Sequence, residues 1–154
     1  YKGVFAAKET VDVKTEKGTL TGLRVLGPVR KQSQIELART DCFKLGIKPP
    51  VRESGHLAGS TPVTVIGPNG SIDLPEGAII AARHIHISTE TIAEWGKKSG
   101  DYVDVRVGGE RGVTFHNVLL RAGGSGGHTE LHLDTDEANA CMLNTGDMVE
   151  VILE

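Results

Sequence analysis

Along this chain apolar and polar positions alternate in short runs, with few stretches that repeat at helical spacing. The runs "TVDVKT", "LTGLRVLG", "SQIELA", "VTVIG", "RHIHIS", "YVDVRV", "VTFHNVLLR", "ELHLD" and "MVEVIL" each read as a strand, being rich in valine, isoleucine and threonine. Turn signals at "EKG", "GPNG", "VGGERG" and "AGGSGG" separate them. Only short helices fit between, at Thr89 to Lys98 and Thr135 to Leu143. The pattern predicts a mainly β fold of many short strands with short helices.

The pattern also repeats. Laying "HIHISTETIAEWGKKSGDYVDV" over "ELHLDTDEANACMLNTGDMVEV" matches His86 to His132, Gly100 to Gly146, Asp101 to Asp147, Val103 to Val149 and Val105 to Val151. The offset is constant, because 132 − 86 and 146 − 100 both give 46. Each copy reads strand, cap, short helix, "GD" turn, strand. Asp134 and Glu137 have the spacing of a capping box, and Ser88 holds the equivalent cap position. A weaker third copy, "QIELARTDCFKLG", places Leu45 over Trp95, Gly46 over Gly96 and Glu36 over His86 at an offset of 50. Repeated strand-helix-strand units with glycine turns usually close into small barrels, which bring equivalent strand ends together.

That arrangement gives "AARHIHISTE" a chemical meaning. On a strand, successive side chains point to opposite faces, so His84 and His86 share one face while Ile85 and Ile87 share the other. Two imidazoles form half of a zinc-type site, which needs at least three protein ligands. Equivalent repeat positions supply His132 and Glu36, so four metal-type side chains are expected to converge on one cleft.

The remaining candidates are weaker. His56, His116 and His128 read as surface residues. Arg30 and Lys31 follow a Gly-Pro turn six residues before Glu36 (36 − 30), where an arginine fork is well placed to grip an oxyanion. "AGGSGG" lacks the Gly-Lys-Ser/Thr ending of a phosphate-cradling loop and reads as a flexible hairpin connection. Ser60 and the two cysteines have no base nearby in sequence, so a nucleophilic triad has no support.

Composition narrows the classes. The 154 residues carry 17 basic and 20 acidic side chains for a net charge of −3, which calls for neither nucleic acid nor an anionic membrane as partner. No apolar run approaches the roughly 20 residues that span a bilayer, and the reading is soluble and intracellular. Cys42 and Cys141 read as small buried hydrophobes rather than a disulfide. The chain starts at Tyr1 on a strand-like segment, and a preceding N-terminal part is expected.

"VLGPVRKQSQIELARTD", "PPVRESGHLAGS", "AARHIHIS" and "ELHLDTDEANA", in this order across almost the whole chain, resemble the PduL-type phosphate propanoyltransferase family of zinc-dependent phosphotransacylases. The resemblance implies two small β-barrel domains, placed here at residues 1–75 and 76–154, and two zinc ions per intact chain in a cleft. It implies transfer of a short acyl group, propanoyl or similar, between coenzyme A and inorganic phosphate. It assigns His84, His86 and His132 to one zinc ion, Glu36 to the other and Arg30 to the phosphate. The family completes the second site with an "RHxH" motif that would fall upstream of Tyr1, since 36 − 50 is negative. The cytoplasm or a bacterial microcompartment lumen is the expected location, with a homo-oligomer and microcompartment proteins as further expected partners. In the expected mechanism zinc polarises the thioester and Arg30 holds phosphate for direct attack, with no covalent acyl-enzyme. The reading from a different class is a non-catalytic zinc-binding structural module of a larger assembly.

Overall fold

In a computed structural model, which describes residues 5–123 and 128–154, the alternating runs fold as strands joined by glycine-rich turns. The chain divides into two units, Tyr1–Ala81 and Ala82–Glu154. Residue 75, the approximate boundary expected from the sequence, lies within the strand Gly70–Ala81 that ends the first unit.

The first unit holds β1 (Phe5–Thr15), β2 (Gly18–Gly27), β3 (Ile35–Glu36), α1 (Arg39–Leu45), β4 (Val51–Arg52), β5 (Thr61–Gly67) and β6 (Gly70–Ala81). Its sheet runs β2-β1-β5-β6-β3, with β4 also on β6. The hairpins are antiparallel, whereas β3 and β4 run parallel to β6. Val13, Leu37, Cys42, Leu45, Val63 and Ala78 form its core.

Strand β6 was not expected from the sequence. Its "GSIDLPEGAIIA" contains a proline and acidic residues that read as strand breakers. The register explains why they are tolerated. Val63 faces Leu74 and Thr61 faces Ala78, so Pro75, Glu76 and Gly77 together oppose one residue of β5 in a bulge. A proline there has no ladder hydrogen bond to lose. Gly77 packs closely there, since a Cβ would come within 2.9 Å of Leu74 Cδ1 and 3.1 Å of its Cβ, so the Leu74 side chain would have to shift.

The second unit holds β7 (His84–Ile87), α2 (Thr89–Glu94), β8 (Tyr102–Val107), β9 (Val113–Ala122), β10 (Glu130–His132), α3 (Thr135–Ala140) and β11 (Glu150–Ile152). Its sheet runs β10-β7-β9-β8-β11. Ile85, Ile87, Ile92, Val103, Val105, Val118 and Leu120 form the core on one face of this sheet. In the sheet β7 lies between β9 and β10, the two strands joined by the "AGGSGG" segment that the sequence reads as a flexible hairpin connection. Gly124 to Gly127 of that segment lie outside the described residues.

Both helices of this unit stop earlier than the sequence suggests. α2 ends at Glu94 with Gly96 in the left-handed region at φ 68°, and α3 ends at Ala140 with Met142 there at φ 56°. Their starts match the expected caps. Ser88 Oγ accepts from the Thr91 N–H, and Asp134 and Glu137 complete a reciprocal capping box. Neither hydrogen-bonded path returns to its first strand, so the architecture is mainly β with short helices, and closed barrels are not formed by the pairings of the described residues. No helix among the described residues is long and apolar enough to cross a membrane.

Candidate functional site

Putting Ile85 and Ile87 into the core of the second unit turns His84 and His86 to the opposite face of β7. The antiparallel register of β10 sets His132 directly opposite His84 and Glu130 directly opposite His86. On the other side of β7, the parallel strand β9 sets Leu119 beside His84 and Arg121 beside His86. The face therefore carries two rows across three strands. One is His132, His84 and Leu119, and the other is Glu130, His86 and Arg121.

The His84 and His132 rings stack with centroids 4.9 Å apart and planes 3° from parallel. His84 Nδ1 lies 3.1 Å from the Ala82 carbonyl oxygen. With the proton on Nδ1 this contact is a hydrogen bond, and the lone pair then sits on Nε2. His132 Nε2 is buried and makes no hydrogen bond among the described residues, the Glu130 carboxylate being 3.6 Å away. Burial lowers the pKa of His132 below the usual histidine value, His86 and Arg121 push the same way, and Glu130 opposes them. The neutral imidazole, the form that binds metals, is favoured as a result.

Three imidazoles stand on one face, and the buried Nε2 of His132 makes no hydrogen bond among the described residues, so the donor types are those that a zinc-type ion takes. Among the described residues, no three histidine, cysteine or acidic side chains are grouped closely enough to hold a metal. Glu130 was missed in the sequence, although the signal was present. The offset of 46 that aligns His86 with His132 also aligns His84 with Glu130 (84 + 46 = 130).

The first unit gathers its candidates separately. Arg30 Nη1 donates to Ser54 Oγ at 3.2 Å, and Gln34 Nε2 donates both to Ser54 Oγ at 2.8 Å and to Glu36 Oε1 at 2.7 Å. Gln34 Oε1 accepts from the Gly55 N–H at 2.7 Å, tying the group to the turn after β4. Arg30 and Glu36 are thus joined through Gln34 and Ser54, two residues with no distinguishing sequence signal. Glu36 sits on β3 before α1, whose Gly46 cap at φ 62° matches Gly96 after α2, so the weak third repeat is expressed in the backbone.

The other candidates stay apart from these groups. His56 is exposed near Glu53, and exposed His116 lies 3.0 Å from an Asp104 carboxylate oxygen. His128 is exposed. Cys42 and Cys141 are buried free thiols.

A family model described as phosphate propanoyltransferase matches residues 1–144. The phosphate propanoyltransferase of Thermotoga maritima is 49% identical over 151 residues, covering 97% of this chain and 71% of that protein. That of Rhodopseudomonas palustris is 47% identical over 149 residues, covering 97% and 66%. That of Salmonella typhimurium is 42% identical over 139 residues, covering 90% and 66%. The chain thus spans about two thirds of the length of these curated relatives.

Proposed function

Since the chain belongs to the phosphate propanoyltransferase family, a family of transferases whose reaction is a phosphate-dependent acyl transfer, we propose that it interconverts a short-chain acyl-CoA plus phosphate with acyl phosphate plus coenzyme A. Propanoyl-CoA is the proposed acyl donor. In the forward direction a phosphate oxygen attacks the thioester carbonyl carbon, the C–S bond breaks, and the thiolate leaves to be protonated as coenzyme A.

We assign His84, His86 and His132 to a divalent, zinc-type ion and Glu36 to a second one. The observation that carries this assignment is the single sheet face on which the three imidazoles stand, with the His132 nitrogen buried and unbonded. When bound, such an ion supplies Lewis-acid polarisation of the thioester carbonyl. The chain's own contribution is positional and electrostatic. The contact of His84 Nδ1 with the Ala82 carbonyl fixes the ring and its tautomer. Arg30 presents a planar fork to phosphate, and Ser54 holds its Nη1 in place. Gln34 fixes Ser54 and the Glu36 carboxylate together, so the anion-binding and acidic groups of the first unit share one support. No acyl group needs to pass onto the protein.

The test is release of coenzyme A from propanoyl-CoA, followed with a thiol reagent in the purified, zinc-supplemented protein. Release that depends on added phosphate supports the proposal. No phosphate-dependent release from propanoyl-CoA or acetyl-CoA overturns it.

A further inference from the structure

The arginine that precedes the two strand histidines has a role of its own. The His84–His132 pair is the last rung of the β7–β10 ladder. Arg83 lies immediately beyond it on one strand, and Asp134 lies two residues beyond it on the other. At this point Arg83 makes three side-chain hydrogen bonds. Its Nε and Nη2 both donate to the His116 carbonyl oxygen, at 3.0 and 2.6 Å, and its Nη1 donates to Glu137 Oε2 at 2.8 Å. Its guanidinium also lies over the Phe115 ring, 5.1 Å from the centroid. Glu137 completes the link, since its Oε1 accepts from the Asp134 N–H at 3.2 Å.

The carbonyl that Arg83 grips is presented by a deformation of β9. Val105 faces Phe115 and Val103 faces Val118, so His116 and Asn117 together oppose one residue, with Asn117 at φ 55°. The chain from β7 to the cap after β10 is thereby fastened at both ends of one side chain.

We propose that Arg83 and Glu137 are positioning residues for the histidine site. They would clamp the strand carrying His84 and His86 to the segment that follows His132. This inference rests on the assignment of the three histidines made above.

Two observations separate it from ordinary stabilisation. First, β10 is a three-residue strand at the edge of its sheet that, among the described residues, pairs only with β7. His132 stands on its last rung, the place where a short edge ladder opens most readily. A charge-assisted link just beyond that rung, about twice as strong as a neutral hydrogen bond, acts where His132 would otherwise move. Second, the fold itself does not require the clamp. In the repeat, Arg83 corresponds to Thr129 (83 + 46) and Glu137 to Thr91 (137 − 46). The first copy closes its cap with Ser88 Oγ accepting from the Thr91 N–H at 3.1 Å and no arginine. The ionic clamp joins the copy carrying His84 and His86 to the copy carrying His132, and the equivalent pair across the repeat, Thr129 and Thr91, carries no charge.

The experiment compares Zn(II) affinity, by competition with a chromophoric chelator, against stability to denaturant in the full chain. The variants are Arg83→Gln, Glu137→Gln, Ser88→Ala and His132→Ala. Glutamine at position 137 keeps the capping box but removes the charge that Arg83 pairs with. Arg83→Gln and Glu137→Gln should each weaken Zn(II) binding by about 10–100-fold, the range for partners that orient metal ligands. Ser88→Ala removes the equivalent cap and should leave the affinity within about twofold of the parent, the clamp being intact. If Arg83→Gln does not fold, Glu137→Gln decides alone.

Parent-like affinity in both glutamine variants, with binding lost in His132→Ala, overturns the clamp and leaves the histidine assignment standing. So does equal weakening in Ser88→Ala and Arg83→Gln. Parent-like affinity in His132→Ala overturns the histidine assignment and the clamp with it.

Discussion

Ile85 lies directly opposite Leu131 across the β7–β10 ladder, and the two are 46 residues apart (131 − 85). Val105 and Val151, also 46 apart (151 − 105), face each other across the β8–β11 ladder. An antiparallel ladder that pairs each such residue with its repeat equivalent is centred on a local two-fold axis. The sequence repeat is thus realised as two copies that face one another.

Equivalence of position does not make the two partners equal in energy. Ile85 is 1% exposed, whereas Leu131 only packs against the cluster from its margin. Ile85→Ala should cost about 2–5 kcal/mol, as buried large-to-small changes do, and Leu131→Ala clearly less. Denaturant unfolding of the two variants checks the order.

Met142 occupies a left-handed backbone position whose repeat equivalent is Gly96 (142 − 46). A side chain there costs about 1–2 kcal/mol, against about 0.5–1 kcal/mol for the extra freedom glycine loses on folding. Met142 is 63% exposed, so its removal sacrifices little packing. Met142→Gly should therefore stabilise the protein by about 0.5–1 kcal/mol. Gly96→Ala should destabilise it by about 1 kcal/mol, purely through the backbone, because a Cβ there meets nothing within 4 Å. Thermal unfolding of both variants reads the two signs.

Replacing His84, His86 or His132 by alanine removes a proposed direct ligand. Each change should lower the zinc bound per chain by more than the roughly tenfold loss typical of removing a supporting partner. Elemental analysis after dialysis measures it, and unchanged zinc in all three variants would refute the assignment.

Arg30→Lys keeps the charge but loses the planar fork and the geometry of its hydrogen bond to Ser54. The KM for phosphate should rise about tenfold, corresponding to about 1.4 kcal/mol, close to the lower end of the range for hydrogen bonds to charged groups. Gln34→Leu should produce a similar loss from a distance, since Gln34 holds Ser54, Glu36 and the Gly55 N–H at once. Steady-state kinetics with phosphate varied distinguish both from the parent.

Much of this was legible in the chain because periodicity and capping are local. Alternation located β7, β8 and β9, and the Ser88 and Asp134 caps formed as their spacing suggested. The misses needed a neighbour to explain them. Pro75 argues against a strand until β5 is seen opposite it with one residue where β6 has three. Gln34 and Ser54 are unremarkable in sequence, because their importance lies in contacts across 20 residues (54 − 34). Helix ends were overextended at Met142, since a methionine gives no sign of a left-handed turn. Barrel closure was inferred from the repeat, but the repeat specifies paired copies and is satisfied by an open sheet.

The local two-fold axis through Ile85 and Leu131 gives the β7 and β10 backbones no preferred direction, yet the side chains on the histidine face break that indifference. One row is His132, His84 and Leu119, without a formal charge while the imidazoles are neutral. The next is Glu130, His86 and Arg121, with an anion on one flank and a cation on the other. The face therefore has polarity along the strands and handedness across them. An elongated molecule lying on it meets a different electrical environment when turned end for end, so the face distinguishes head from tail through the six side chains of its two rows.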